Sequence, residues 1–101
     1  MPAHARNVSP LARAIESSEP LARLAQRMRE SQQRFACVRD LLPEPLASQL
    51  RPGPVDADGW TLLASNPAAA AKLRQLVPEL ERRLITGQFA ATQIRVKVLP
   101  A

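Results

Sequence analysis

The prolines constrain the fold of this chain more than any other feature. Proline has no backbone N–H and restricts the residue before it, so it ends helices and is tolerated only at strand edges and bulges. The chain has 10 prolines in 101 residues. Pro43 and Pro45 follow one helical pattern, Pro52 and Pro54 interrupt the next strand, and Pro67 opens a second helix. The prolines therefore predict two helices separated by an irregular β-hairpin.

The first helix is predicted from apolar residues that recur three or four positions apart. Ser17 or Ser18 is the expected N-cap, and Glu19 and Pro20 suit a first turn. The spacing predicts an amphipathic helix of about 22 residues. Its stripe comprises Leu21, Leu24, Met28, Phe35, Val38 and Leu42, with Ser31 in the one remaining position. The opposite face is interpreted as solvated and carries Arg23, Arg27, Arg29 and Arg34. Glu30 is able to pair with Arg34 on this face.

A hairpin is predicted after the first helix. Leu46 and Leu50, four apart, indicate one short extra turn before an irregular edge strand from Arg51 to Val55. The sequence Asp56-Ala57-Asp58-Gly59 is the clearest turn in the chain. The return strand runs from Trp60 to Ala64, and a core position for this tryptophan is favoured over an exposed one.

A second helix and a final strand complete the pattern. Asn66 and Pro67 start a helix that is expected to run to about Thr86 and stop at Gly87. Pro78 lies inside it and predicts a kink or a break. The buried stripe comprises Leu73, Leu76, Val77, Leu80 and Leu84, flanked by Ala69 and Ala70.

The last strand, Gln93 to Leu99, alternates apolar and basic residues. Its core face has Ile94, Val96 and Val98, and its other face has Arg95 and Lys97. The predicted architecture is α+β: a long N-terminal helix, a β-hairpin, a kinked helix and a final strand, with helices on one face of a three-stranded sheet. Residues 1–17 are expected to form a partly disordered arm, and residues 18–101 a single domain.

Composition argues against an enzyme. The chain has one cysteine, Cys37, and one histidine, His4, which are too few for a disulfide, a zinc site or a histidine-dependent nucleophile. Phosphate-cradling glycine motifs are absent, and neither Asp56 with Asp58 nor Glu79 with Glu81 makes a catalytic pair. We expect no catalytic residue, metal, cofactor or small-molecule substrate. With neither a long apolar run nor a signal peptide, the expected location is cytoplasmic, without membrane contact.

Charge favours a polyanionic partner. The net charge is +5, and the sequence pI is about 11.0. Because the only aromatic residues are Trp60, Phe35 and Phe89, base stacking contributes little, and binding is expected to be electrostatic and salt-sensitive. The candidate phosphate-binding residues are Lys72, Arg74, Arg82, Arg83, Arg95 and Lys97, with possible further contacts from Arg23, Arg27 and Arg34.

Several short motifs also follow a recognisable order from Leu41 to Val98. They are Leu41-Leu42-Pro43, the turn and strand from Asp58 to Ala64, Ala70-Ala71-Lys72-Leu73-Arg74, then Leu76, Pro78, Leu80, Leu84 and Gly87, and the closing Ile94-Arg95-Val96-Lys97-Val98. In this order the run resembles the DciA family, bacterial proteins associated with loading or operating the replicative helicase DnaB. The sequence departs from many members at Ala70, where they carry an aromatic residue.

The resemblance implies a fold similar to a type II K-homology domain, binding of single-stranded or forked DNA, and contact with the helicase. Lys72, Arg74, Arg95 and Lys97 match basic positions of the family, whereas Arg82 and Arg83 depend on the charge argument alone. Two alternatives stay open. One is an interaction adaptor or homodimer that docks through the first helix. The other is an RNA-binding K-homology-like module, which the missing Gly-x-x-Gly loop disfavours.

Overall fold

The computed structural model describes residues 19 to 100. The predicted arm and the N-cap at Ser17 or Ser18 lie outside this range. Residues 19–100 form two helices and an open, mixed three-stranded sheet, which confirms the α+β prediction. The elements are α1 (Glu19–Val38), 3₁₀ turns at Arg39–Leu41 and Ala47–Gln49, β1 (Leu50–Asp56), β2 (Gly59–Ala64), α2 (Pro67–Thr86) and β3 (Ile94–Val98).

The sheet has the strand order β1-β2-β3, with β2 antiparallel to β1 and parallel to β3. Leu50 lies opposite Ala64, and Trp60 lies beside Ile94. Because side chains alternate along each strand, these residues share one face of the sheet. We call it the inner face, and it carries Leu50, Val55, Trp60, Leu62, Ala64 and Ile94. The outer face carries Arg51, Thr61, Leu63, Arg95 and Lys97.

The hairpin forms where the sequence predicts it. Asp56 Oδ1 accepts hydrogen bonds from the backbone N–H groups of Asp58 and Gly59, at 2.9 and 3.1 Å. Gly59 has φ 154°, and a Cβ there would lie 2.3 Å from the carbonyl oxygen of Gln93. Only glycine fits this position. The first strand is irregular as expected, because the register shifts between Pro52 and Val55.

The second helix begins and ends as predicted. The Asn66 side chain accepts from the Ala69 N–H at 2.8 Å, and Pro67 occupies the first helical position. Although Pro78 lies inside α2, the helix continues without interruption from Pro67 to Thr86, so the alternative of a break is wrong and the kink stays a prediction. Burial of the stripe on both sides of the proline stabilises one helix despite the lost backbone hydrogen bond.

The core lies between the helices and the inner face of the sheet. Trp60 is fully buried, which confirms its predicted core position. Both helices pack on this same face, since residues of each belong to one apolar cluster with the sheet. The largest fully buried side chains are Trp60, Leu62, Leu73, Leu80, Leu84 and Val38.

The predicted stripe of α1 is only half correct. Leu21, Leu24 and Met28 are 42%, 54% and 57% exposed, so the N-terminal half of the helix is not covered by the sheet. In the second half, the buried residues are Ser31, Arg34 and Val38. The α-helix ends at Val38, several residues before Pro43, and a 3₁₀ turn follows it. The solvated position predicted for Arg34 is therefore wrong.

One smaller expectation is confirmed and another changes. The predicted extra turn forms as the 3₁₀ turn Ala47–Gln49, with Leu46 at its N-cap and Leu50 at its C-cap, and both leucines are buried in the core. Val98 is 40% exposed rather than part of the core. It lies at the end of β3, which is an edge strand, and apolar neighbours cover only the beginning of that strand.

Candidate nucleic-acid interface

The six predicted phosphate-binding residues lie on two separate sides of the molecule. Lys72, Arg74, Arg82 and Arg83 are on α2, which covers the inner face of the sheet. Arg95 and Lys97 project from the outer face. The sheet separates the two groups, so the helix and the strand do not form one continuous basic surface.

On α2 the predicted cations point in different directions. Lys72 and Arg74 are exposed but lie two positions apart, which places them on opposite flanks of the helix. Glu79 and Glu81 lie seven residues, or about two turns, further along the same two flanks. Arg82 is exposed on the side away from the core. Positive charge on this helix is therefore interspersed with negative charge.

Arg83 joins the two helices. Its Nη1 donates to Asp40 Oδ1 at 2.8 Å and to the Cys37 carbonyl oxygen at 3.1 Å. The hydrogen bond from Arg83 lowers the pKa of Asp40, and the same bond raises the pKa of Arg83. A guanidinium with these two partners is held in place and partly neutralised, so it is less available to a phosphate than the other α2 cations.

Arg95 spans the outer face of the sheet. Its Nη2 donates to Asp56 Oδ2 at 2.7 Å, although β3 and β1 are separated by β2. The side chain therefore crosses β2, where Thr61, its register neighbour, is buried. The hydrogen bond from Arg95 is the largest cause that lowers the pKa of Asp56, followed by the N–H of Asp58. This pair ties the hairpin turn to the final strand.

The outer face holds one basic residue that sequence reasoning missed. Arg51, Leu63 and Lys97 lie in one row across the three strands. Adjacent strands are about 4.8 Å apart, so the Cα atoms of Arg51 and Lys97 are about 10 Å apart. Both residues are exposed, and neither forms a salt bridge within residues 19–100.

The bulge in β1 explains why Arg51 was missed. Strict alternation from the buried Val55 would point Arg51 toward the core. The register shift between Pro52 and Val55 moves Arg51 to the opposite face, where it lies beside Leu63. The residue pattern Pro-Gly-Pro signals an irregular strand, but it does not specify a shift of one residue. We call the set Arg51, Leu63, Arg95 and Lys97 the basic sheet face.

The three additional α1 candidates have different surroundings. Arg23 is exposed and paired with Glu19 at 3.2 Å. Arg27 is exposed at a groove of about 460 Å³ between α1 and β1. Arg34 is buried, donates to the backbone oxygens of Ala90 and Glu30, and lies 5.1 Å from the centroid of the Phe89 ring. The backbone carbonyl oxygen of Glu30 thus accepts a hydrogen bond from Arg34, and the two side chains do not form the predicted salt bridge.

The groove beside Arg27 is mainly apolar. Its walls are Leu24 and Met28 from α1 and the β1 segment from Pro52 to Asp56. Ser31 lies at its base, where the hydroxyl accepts from Trp60 Nε1 at 3.0 Å and donates to the Gly53 carbonyl. These bonds attach α1 to both strands of the hairpin.

Within residues 19–100, no cluster of three His, Cys, Asp or Glu side chains is placed to hold a metal ion. Neither helix of that part of the chain is long and apolar enough to cross a membrane. Among known proteins, no family model matches the chain, and no curated protein is significantly similar to it.

Proposed function

We propose that this chain is a small, non-enzymatic DNA-binding accessory protein of replication initiation, similar to DciA proteins and with a type II K-homology-like fold. It binds the phosphate backbone of single-stranded or forked DNA and contacts a replicative helicase of the DnaB type. The observation that carries the DNA-binding part is the exposed pair Arg51 and Lys97 on the basic sheet face. The helicase contact rests on the family resemblance.

The basic sheet face fits a phosphate backbone better than α2 does. Among the paired strand residues of the outer face, Asp56 is the acidic one, and its carboxylate is already bonded to Arg95. Arg51 and Lys97 are thus left with uncompensated charge within the described residues. On α2, by contrast, Glu79 and Glu81 lie on the same flanks as Lys72 and Arg74, and they reduce the local potential.

The chemistry of this face predicts contact with phosphates more than with bases. Leu63, between the two cations, offers a small apolar surface, and the face carries no aromatic side chain for stacking. Lys and Arg neutralise phosphates and release counterions, so affinity falls steeply as salt rises. Sequence preference is expected to be weak, because phosphate contacts carry no base information.

Two double variants with equal charge change test the location of this site. Arg51→Glu with Lys97→Glu alters the basic sheet face, and Lys72→Glu with Arg82→Glu alters α2. Each pair lowers the net charge of +5 by four. In fluorescence anisotropy with labelled single-stranded and forked DNA, we expect the double variant of the basic sheet face to lose most of its affinity for DNA. Its slope of log affinity against log salt should fall by about two, one for each lost phosphate contact.

The α2 pair is the matched control and should retain most of the binding. Equal loss in both pairs would show that net charge alone drives association, and no binding by the wild type at low salt would remove the proposal. An RNA strand of the same sequence in the same assay separates the RNA-binding alternative, since tighter RNA binding requires contacts to the 2′-hydroxyl. Retention of a purified DnaB-type helicase on the immobilised protein tests the second half of the proposal.

The adaptor hypothesis is a second candidate, favoured by the exposure of Leu21, Leu24 and Met28. Their spacing of three and four residues is typical of helix–helix seams. The sheet covers the second half of the stripe but not these residues, so the hypothesis now rests on about half of α1. In this form it predicts a homodimer that pairs the N-terminal halves of two α1 helices.

A further inference from the structure

The two edges of the sheet differ in their ability to accept another strand. At the β1 edge, Pro52 and Pro54 have no N–H to donate, and the strand is bulged between Pro52 and Val55. The Gly53 carbonyl is already bonded to the Ser31 hydroxyl from α1. This edge is therefore closed by its own sequence and by the first helix.

Along Val96 and Val98, the β3 edge has none of these obstacles. The Trp60 N–H donates to the Gln93 carbonyl at 2.8 Å, and the Leu99 N–H donates to the Ala64 carbonyl at 2.8 Å. Since backbone groups in a parallel ladder alternate in direction, residues 93, 95, 97 and 99 face β2. The N–H and carbonyl groups of Ile94, Val96 and Val98 therefore point away from the sheet.

Only one of these outward groups is bonded to a side chain in the described part of the molecule. Glu81 Oε2 accepts from the Ile94 N–H at 2.8 Å, which closes the beginning of the edge. Along Val96 and Val98, β3 pairs with no strand other than β2 among residues 19–100. An extended segment placed there could donate to and accept from both residues.

The side chains beside this edge define the segment that fits it. On the inner side of the strand, Val96 is half-buried and Val98 is 40% exposed. On α2, Ile85 is exposed and lies four residues beyond Glu81, on the same flank of that helix. On the outer side, Lys97 is exposed and unpaired in the described chain. A fourth strand with alternating residues would place its apolar side chains beside Val96 and Val98 and its acidic side chains beside Lys97.

We propose that the outer edge of β3 is a docking site for an extended segment of another protein with alternating acidic and apolar residues. The segment adds to the sheet as a fourth strand beside Val96 and Val98. A second copy of β3 is a poor occupant, because antiparallel pairing of two such strands brings Arg95 and Lys97 close to the same residues of the partner. The docking site shares Lys97 with the basic sheet face, but its backbone contacts at Val96 and Val98 take no part in the proposed DNA binding.

A direct test uses a capped, fluorescent peptide of alternating Glu and Val and measures polarisation against the full chain. The control peptide has the same composition arranged as a Glu block and a Val block, so its charge is equal but its alternation is lost. We expect binding of the alternating peptide and at least tenfold weaker binding of the block peptide. Equal binding of both peptides would mean that attraction is only electrostatic and would overturn the proposal.

Val98→Pro tests the backbone contact. It removes an outward N–H without touching the ladder to β2, and we expect the affinity for the alternating peptide to fall about tenfold. Val98→Ala, the matched control, keeps that N–H and should weaken binding less. Lys97→Glu should also weaken binding through charge repulsion. Equal affinities of the proline and alanine variants would contradict strand addition.

A measurement on the unaltered protein avoids any effect of substitution on folding. The alternating peptide, N-methylated at every second residue, presents the same side chains but cannot donate along one edge, so it should bind more weakly. Amide resonances of Val96 and Val98 should shift with the unmethylated peptide. DNA binding by Val98→Pro should be unchanged, which separates failure of this inference from failure of the proposed function.

Discussion

At the scale of single residues, two polar side chains attach α1 to the hairpin and to the loop before β3. Ser31 occupies the one non-apolar position of the predicted stripe, and its buried hydroxyl bridges Trp60 Nε1 and the Gly53 carbonyl. Arg34 is only 4% exposed and holds the Ala90 carbonyl while its guanidinium lies over Phe89. Ser31 thus fastens α1 to the hairpin, and Arg34 fastens it to the loop before β3.

Arg34→Ala should therefore destabilise the protein, although an arginine on a helix is usually a surface residue. The substitution leaves the Ala90 carbonyl without its donor and removes the packing on Phe89, and we expect a loss of about 2–4 kcal/mol in the free energy of unfolding. Arg29→Ala, on the exposed face of the same helix, should change stability by less than about 0.5 kcal/mol. Urea unfolding followed by circular dichroism measures both, and similar values for the two variants would show that Arg34 is not a structural residue.

At the scale of elements, Asp56 joins the hairpin turn to the last strand. One carboxylate oxygen accepts from two turn N–H groups and the other accepts from Arg95. Both sets of bonds favour the ionised form and lower the pKa below the ordinary value of 3.8. The short turn sequence predicts the first set, whereas the second set requires the strand order that brings β3 alongside β2.

The lowered pKa has a defined consequence for stability. The contribution of ionised Asp56 is fully present above pH 3.8 and is lost as the pH falls through the lower pKa of the folded state. Asp56→Asn retains a turn acceptor but not the charge. The wild type should be more stable than this variant at pH 7, and the difference should disappear in strong acid. Urea unfolding of both proteins across this pH range measures it, and a difference independent of pH would contradict the assignment.

At the scale of the whole molecule, the sheet separates a mixed-charge helical side from a more uniformly basic outer side. The N-terminal half of α1 adds a third feature, an apolar surface that the sheet does not cover. The DNA-binding proposal uses the outer side, and the homodimer candidate uses the α1 surface. Because the two surfaces share no residue, they can be tested separately.

Sedimentation velocity over a range of concentrations tests the homodimer. If α1 pairs with a second copy, the wild type should dimerise, and Leu24→Glu with Met28→Glu should remain monomeric because the seam then carries buried like charges. Both side chains are more than half exposed, so the substitutions should leave the fold intact. A wild type that is monomeric at all concentrations would eliminate this candidate and leave the outer side as the main interaction surface.

The local pattern of the sequence determined most of the secondary structure. The start of α2 at Asn66 and Pro67, the turn at Asp56 to Gly59 and the alternation of β3 all depend on neighbours within a few residues. Such interactions are encoded in the order of residues, and therefore those predictions are confirmed. The burial of Trp60 follows in the same way from its place in a strand between a turn and a helix.

Tertiary structure decided which faces are covered and which charges share a surface. Arg34 is buried because the fold brings Phe89 and Ala90 of the loop before β3 against α1, and a one-residue bulge places Arg51 beside Leu63 and Lys97. Helix periodicity cannot specify how far a helix extends beyond its partner, which is why Leu24 and Met28 are exposed. The residues of the basic sheet face come from three strands, and only the pairing of those strands brings them together.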